Sequence, residues 1–338
     1  MSESAGIFAI CVPTYNRGRK ALELVNDVLP TLAAGYELIV IDNCSTEECE
    51  EYKQIAYLAE SLPGKLKYIH NPVGVGFHGN YLNCLRYAKG RPAMLVSDED
   101  RPGVSIISVA LRLLKERPTL GIVRGGILPL VPGNPRRNSC TLKDALYSAG
   151  REALTSYALS NNYFSGTIYN MGLFNNLGLI DRLEKNLSTH RHYPHLYFEG
   201  LACALTDVAL CSDVACFEGT PQFVADGPAD YAPPYSFGGR LDGFLILRDC
   251  LSEAVDMMSS PFDSELFGNL YLKHTAKFFH LIGRANAPLY AKNYIDVGVA
   301  VRAFAYFACA AMIRLKECEQ HRDFMMGEID KLARQFGG

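Results

Sequence analysis

Three acids stand together in "AMLVSDEDRP", residues 93–102, where Asp98, Glu99 and Asp100 directly follow the apolar run Ala93–Val96. Two carboxylates two residues apart face the same way if the chain stays extended, and they repel one another unless a cation compensates. Mg²⁺ or Mn²⁺ suits such a pair when phosphate oxygens complete its coordination. A solvated acidic turn accounts for the same residue types, so their place in the fold must decide between the two readings.

Four other segments offer chemistry. In "VPTYNR" (12–17), Tyr15 can stack on a base and Arg17 can pair with phosphate, and a plain turn fits equally. In "LIVIDNCST" (38–46), Asp42 is either a hydrogen-bond acceptor for a nucleotide base or ribose, or the acid of an Asx-turn. "NPVGVGFHGN" (71–80) carries Gly74, Gly76 and Gly79 just ahead of a helix, which lets backbone approach a ligand or merely turn. No Gly-Lys-Ser/Thr follows, so it is not a P-loop, and it comes too late in the chain for a dinucleotide fingerprint. In "YPHLYFEG" (193–200), His195 and Glu199 are four residues apart and share a helix face. Either can take a proton from a hydroxyl, and a helix-start histidine with a surface glutamate is the competing reading. With His190, Arg191 and His192, His195 also suggests a cationic patch for an anion; zinc needs a fourth ligand in defined geometry.

The elements that must position these residues alternate. Apolar β-prone runs open the segments 6–16 (stopping at Pro13), 36–45 (ending in polar turn residues), 65–72 and 92–100, separated by helical periodicity at 19–33, 47–62 and 79–90. Strand–helix alternation with continuously apolar strands predicts an α/β fold, a mostly parallel sheet flanked by helices. Ligands of open α/β sheets bind outside the carboxyl ends of the strands, where the four polar or glycine-rich segments fall. A helix over 104–116 and a strand over 120–127 follow. Residues 161–174 read as strand then turn, 190–207 as loop then helix, and 213–219 as a late strand. The expected organisation is 1–220 as one domain in two halves (1–102 and 103–220), a flexible loop over 221–240, and a helical region over 241–338.

The bulk composition bounds the remaining possibilities. The chain has 338 residues, 49% hydrophobic and 20% charged, which is a globular composition. A net charge of −3 gives no global attraction to nucleic acid. Eleven cysteines, an odd number without zinc spacing and without a signal peptide, point to reduced structural thiols and a cytoplasmic setting. "VGVAVRAFAYFACAAMIRL" (297–315) is interrupted by Arg302 and reads as a buried or membrane-touching helix rather than a span.

Taken in order, "VPTYNR", "LIVIDNCST", "NPVGVGFHGNYLNCLRYAKG" and "AMLVSDED" resemble a family 2 glycosyltransferase of the GT-A (Rossmann-like) fold. The resemblance covers residues 6–102 well and continues loosely to about 219, where "YFSGTIYN" and "YPHLYFEGLACAL" are similar to the acceptor half of bacterial O-antigen and capsule sugar transferases. It implies a nucleotide-diphosphate sugar as donor, with Thr14, Tyr15 and Asp42 on the nucleoside. Arg17, Gly76 and Asn80 complete the donor side. Asp98 and Asp100 bind a metal-bridged diphosphate, with Mg²⁺ or Mn²⁺ as cofactor, and Glu99, turned away on extended geometry, is a structural acid or touches the donor sugar.

The sequence departs from the family twice. The second strand ends Asp-Asn-Cys-Ser where Asp-Asp-Gly-Ser is usual. No Glu-Asp pair occurs in 150–220 to supply the base, which makes His195 and Glu199 the substitutes and Asp207 and Asp226 further candidates. The expected activity is transfer to a glycan or lipid-linked acceptor in cell-surface polysaccharide synthesis, with inversion. The expected setting is the cytoplasm or the inner membrane face, with a membrane surface or a second copy as partner of the C-terminal helices and no nucleic acid. The rival readings are a sugar-nucleotide nucleotidyltransferase and a non-catalytic nucleotide- or glycan-binding module.

Overall fold

A computed structural model describes residues 7–88, 90–131, 140–158, 163–187, 193–220, 236–258, 261–287, 290, 295–313 and 315–337. The alternation read from the sequence is present: β1 (Phe8–Thr14), α1 (Gly18–Val28), β2 (Tyr36–Asp42), α2 (Cys49–Ser61), β3 (Leu66–His70), α3 (Gly76–Tyr87) and β4 (Ala93–Leu95). Every residue of β1 is buried, because helices cover both faces of the sheet there. α1 turns Ala21, Leu24, Val25 and Val28 inward, a helical repeat that seats it on the sheet.

The rest of the sheet is supplied by β5 (Arg101–Pro102), β6 (Leu120–Pro129), β7 (Ala145–Tyr147), β8 (Thr167–Tyr169) and β9 (Asp207–Glu218), with α4 (Ser105–Glu116) packed between β5 and β6 in sequence. The strand order is β3-β2-β1-β4-β8-β6-β9-β5, and β7 also pairs with β9. β1 to β4 are parallel, and so are β6 and β9. β8, β5 and β7 run the other way, so the sheet is mixed beyond its parallel half. β8 reverses because the chain enters it at the end where β4 leaves: the Gly166 amide donates to Leu95 O.

Several boundaries differ from the sequence expectation. Residues after β8 form a helix, α6 (Met171–Asn176), because the Asn170 side chain caps it by accepting from the Leu173 amide. The late strand is longer than expected, since β9 begins at Asp207. The helix in 190–207 is α8 (Pro194–Leu205), with proline in its first turn. α5 (Arg151–Ser156) precedes β8, and α7 (Leu179–Asn186) lies between α6 and α8. The loop expected over 221–240 lies mostly outside the described residues, which resume at 236.

Four longer helices close the chain: α9 (Phe237–Met258), α10 (Ser264–His280), α11 (Val297–Ile313) and α12 (Arg322–Gly337). Alternation along β1 splits its side chains between two cores. Phe8, Ile10 and Val12 join Leu24, Val25 and Ile55 on one face. Ala9 and Cys11 join a continuous core on the other face that runs through Tyr81 and Phe198 to Phe244, Phe267 and Phe304. The terminal helices therefore share a core with the sheet that carries the strand ends. α11 buries Val301, Phe304 and Met312 and exposes Val299, Tyr306 and Ile313. Among the described residues no single helix is long and apolar enough to cross a membrane. All eleven cysteines are unpaired.

Candidate active site

The strand registers align Thr14 with Asp42 and Asp42 with His70, so three polar side chains form one row across the carboxyl ends of β1, β2 and β3. Just beyond Thr14 the chain turns sharply at Asn16, whose φ of 50° is a left-handed value that asparagine tolerates better than most residues. Its amide donates to Ser45 Oγ, and its side-chain oxygen accepts from the Thr46 and Glu47 amides. These bonds pin the first strand end to the second. Thr14 is buried against the Tyr52 hydroxyl at 2.8 Å, and Tyr15 is half-buried.

Asp42 is almost fully enclosed and accepts four hydrogen bonds. Oδ1 takes the Ser45 amide at 3.0 Å and the Ser45 hydroxyl at 2.5 Å; Oδ2 takes the Tyr68 hydroxyl at 2.9 Å and faces His70 Nδ1 at 2.8 Å. Asn80, expected on the donor side, is buried in scaffold bonds instead. Its amide nitrogen donates to Ile41 O at 2.9 Å and its oxygen accepts from Asn71, which in turn accepts from Asn83. Gly76 opens α3 with φ of 68°, a conformation that explains a glycine there without any ligand.

The acid cluster adopts a geometry the sequence reading did not anticipate. β4 ends at Leu95 and the chain turns at Asp98 and Glu99, closed by the Asp100 amide on Ser97 O at 3.0 Å. Strand alternation therefore does not apply, and Glu99 does not point away. Arg17 Nη2 lies 3.0 Å from Asp98 Oδ1, while its Nη1 lies 3.3 Å from Glu99 Oε2. Asp98 and Asp100 are both wholly buried, which rules out the solvated turn. Burial raises the Asp98 carboxyl above its ordinary range, and the Arg17 guanidinium opposes that rise.

Asp100 is bound differently from Asp98. Oδ2 accepts the Tyr163 hydroxyl at 2.5 Å and Oδ1 accepts the Gly219 amide at 2.9 Å. Burial raises its carboxyl too, against the pull of hydrogen bonds from Ser165, Tyr163 and Gly219. Gly219 is required by contact: a Cβ there would sit 1.8 Å from Glu99 O. Asp98 Oδ2, by contrast, is buried and accepts no hydrogen bond. It is the oxygen best suited to a cation that draws its other ligands from a phosphate-bearing substrate and water. No group of three or more His, Cys, Asp or Glu side chains gathers as a ready-made metal site among the described residues.

On the acceptor side, His195 and Glu199 are both buried in α8. The His195 ring packs against Phe164, Tyr193 and Tyr81, with centroids 6.0, 6.2 and 6.4 Å away. Tyr163 and Phe164 are themselves in ring contact, so His195 connects to Asp100 through two aromatic neighbours. Glu199 accepts the Tyr157 hydroxyl at 2.9 Å and the Tyr169 hydroxyl at 2.8 Å. It also supports the charge of Lys277 on α10, whose ammonium burial pushes down to about 7. Glu199 is thus an interior anion rather than the surface residue of the competing reading. Asp207 begins β9 at the opposite, amino edge of the sheet, bound to Thr119 and Ala149. Asp226, His190, Arg191 and His192 lie outside the described residues.

The sequence reading missed His70, Tyr68, Tyr163 and Gly219. His70 lay inside the strand expected over 65–72, and only the register places it beside Asp42. Tyr163 and Gly219 reach Asp100 from 63 and 119 residues away, and no local pattern marks them.

Residues 9–101 match the sequence profile described as glycosyl transferase family 2. A protein of Escherichia coli (strain K12) named as a colanic acid biosynthesis glycosyl transferase, WcaA, is 28% identical over 105 residues, 31% of this chain and 37% of that protein's length. Two solved structures are similar in fold over nearly the whole chain. S. aureus TarS 1–349 in complex with UDP-GlcNAc has a TM-score of 0.51 at 16% identity, covering 97% of this chain and 91% of that one. The mannosyltransferase PcManGT of Pyrobaculum calidifontis, in complex with GDP-Man and Mn²⁺, has a TM-score of 0.52 at 17% identity, covering 98% and 86%. The strand-end site lies inside the segment that matches the family 2 profile, and the fold over nearly the whole chain is the GT-A type of these glycosyltransferases.

Proposed function

We propose that the protein transfers a glycosyl group from a nucleoside-diphosphate sugar to a hydroxyl of a glycan or lipid-linked acceptor, in the synthesis of a cell-surface polysaccharide. The observation that carries this reading is the Arg17–Asp98 pair: a guanidinium on a wholly buried carboxylate, beside an unpaired carboxylate oxygen, where parallel strands end. Both partners are suited to exchange. Arg17 can turn its planar fork to a diphosphate, and Asp98 can take Mg²⁺ or Mn²⁺. A divalent ion there supplies positive charge to the departing diphosphate.

The remaining steps fall to the chain itself. Tyr15 offers its ring to the base. Asp100, fixed by Tyr163 and Gly219, holds the turn that presents Asp98 and Glu99. We assign the general base to His195, because Glu199 already accepts two tyrosine hydroxyls. His195 takes the acceptor's hydroxyl proton, the oxygen attacks the anomeric carbon, and the bond from that carbon to the diphosphate oxygen breaks. A single displacement inverts the anomeric centre. Glu199 positions α8 through Tyr157 and Tyr169. We place the protein on the cytoplasmic side of the membrane, with the exposed face of α11 toward lipid or a second copy.

A thermal-shift panel of UDP, GDP, CDP and dTDP, each with and without Mn²⁺, tests the donor reading, since a ligand of the folded state alone raises its melting temperature. A metal-dependent rise that disappears in Asp98→Ala supports it. A rise unchanged in Asp98→Ala places the site elsewhere.

A further inference from the structure

We infer that His70, held by Asp42, reads the donor's nucleobase and selects bases with a ring N–H beside a carbonyl (uracil, thymine, guanine) over cytosine and adenine. The inference rests on the donor reading above and deepens it.

Asp42 is closed to direct contact. Only 1% of the residue is exposed, and four donors, the Ser45 amide and hydroxyl, the Tyr68 hydroxyl and His70, converge on its two oxygens. A carboxylate offers about four lone-pair sites, so these partners fill it. His70 is what the row presents outward instead: its side chain is 49% exposed and its Nδ1 is anchored 2.8 Å from Asp42 Oδ2.

That anchor sets the chemistry of the outer nitrogen. An ionised carboxylate only accepts, so Nδ1 carries the hydrogen, and in the neutral imidazole Nε2 becomes an acceptor. An acceptor pairs with N3–H of uracil or thymine and with N1–H of guanine. At the corresponding edge cytosine N3 and adenine N1 bring a lone pair, which meets the Nε2 lone pair without a proton between them. Thr14, Asp42 and His70 share one register row, and Tyr15 follows Thr14 directly, so a stacking face and a polar edge belong to the same strand ends.

The test is calorimetric titration of UDP, GDP, CDP and ADP, each with Mn²⁺, into the full chain and into His70→Ala. One neutral hydrogen bond gained or lost corresponds to about tenfold in affinity. The wild type is expected to bind UDP and GDP about tenfold tighter than CDP and ADP. His70→Ala is expected to bring all four within about threefold, by weakening UDP and GDP. His70→Gln, whose amide oxygen can accept, is expected to keep part of the preference. Because His70 is half-exposed, an unchanged melting temperature confirms that the variants fold. Wild-type affinities equal across the four bases, or a preference that survives in His70→Ala, would overturn the inference and leave the donor reading standing. Failure of all four to bind the wild type would overturn both.

Discussion

Arg17 Nη2 and Asp98 Oδ1 lie 3.0 Å apart across 81 residues of sequence, and the same guanidinium reaches Glu99. A cation shared by two acids at a strand end offsets part of their charge and, at the proposed diphosphate site, is able to exchange partners. Replacing Arg17 by alanine removes the counter-charge of a buried carboxylate, which lowers stability. Donor affinity in Arg17→Ala should also fall about tenfold or more, the loss of a charge-assisted hydrogen bond to the diphosphate. The acidic limb of donor binding against pH should also move upward, because burial already raises the Asp98 carboxyl and Arg17 restrains it. An unmoved limb would mean that Asp98 does not control it.

The same shift fixes a stability trend. An acid whose carboxyl is raised on folding holds its proton more tightly in the folded state than in the unfolded one. Its contribution to stability is present below the unfolded value of 3.8 and is lost as pH rises through the folded value. Asp98→Asn removes that dependence. Its melting temperature should fall less than that of the wild type between mildly acidic and neutral pH, as scanning calorimetry across that range would show. A steeper fall would reverse the sign.

Gly219 and Tyr163 hold Asp100 from opposite sides. A Cβ at 219 would press within 1.8 Å of Glu99 O, and the backbone must move to admit it. Gly219→Ala should destabilise by about 2–4 kcal/mol, in the range of overpacked or strained sites, readable from urea unfolding. Tyr163→Phe loses one short hydrogen bond to a buried carboxylate, worth about 1.5–3 kcal/mol. It should lower turnover while raising the Asp100 carboxyl further.

His195 and Glu199 separate by kinetic signature. A general base contributes about 10²–10⁴ in rate, so His195→Gln should lose kcat by that order with little change in donor KM. Glu199→Gln strips the charge from a carboxylate that accepts two buried phenols and supports Lys277. Its main effect should be a lower melting temperature. If Glu199→Gln loses kcat and His195→Gln does not, the two roles are exchanged.

The parallel half of the fold was legible because its signals are local. Apolar runs, helical spacing and polar strand ends each lie within about ten residues, and they place Thr14, Asp42 and Asp98 at one edge. The reversed β8 was not legible as such, since a three-residue strand carries no direction in its composition. At the site, residue types were readable but pairings were not. Arg17 was expected to meet phosphate, yet its partners here are Asp98 and Glu99. Asp42 was expected to meet the nucleoside, and here its Oδ2 accepts from Tyr68 and faces His70. Such pairings depend on how strand ends converge, which burial and register decide and sequence spacing does not.

Phosphorus NMR of a nucleoside-diphosphate sugar incubated with Mg²⁺, the full chain and a mixture of glycan and lipid-linked acceptors tests the central claim most directly. The expected result with the wild type is loss of the sugar-linked phosphate resonance and growth of the free nucleoside diphosphate, and Asp98→Asn should leave the spectrum unchanged. Free pyrophosphate in place of nucleoside diphosphate, or equal turnover by Asp98→Asn, would contradict the account.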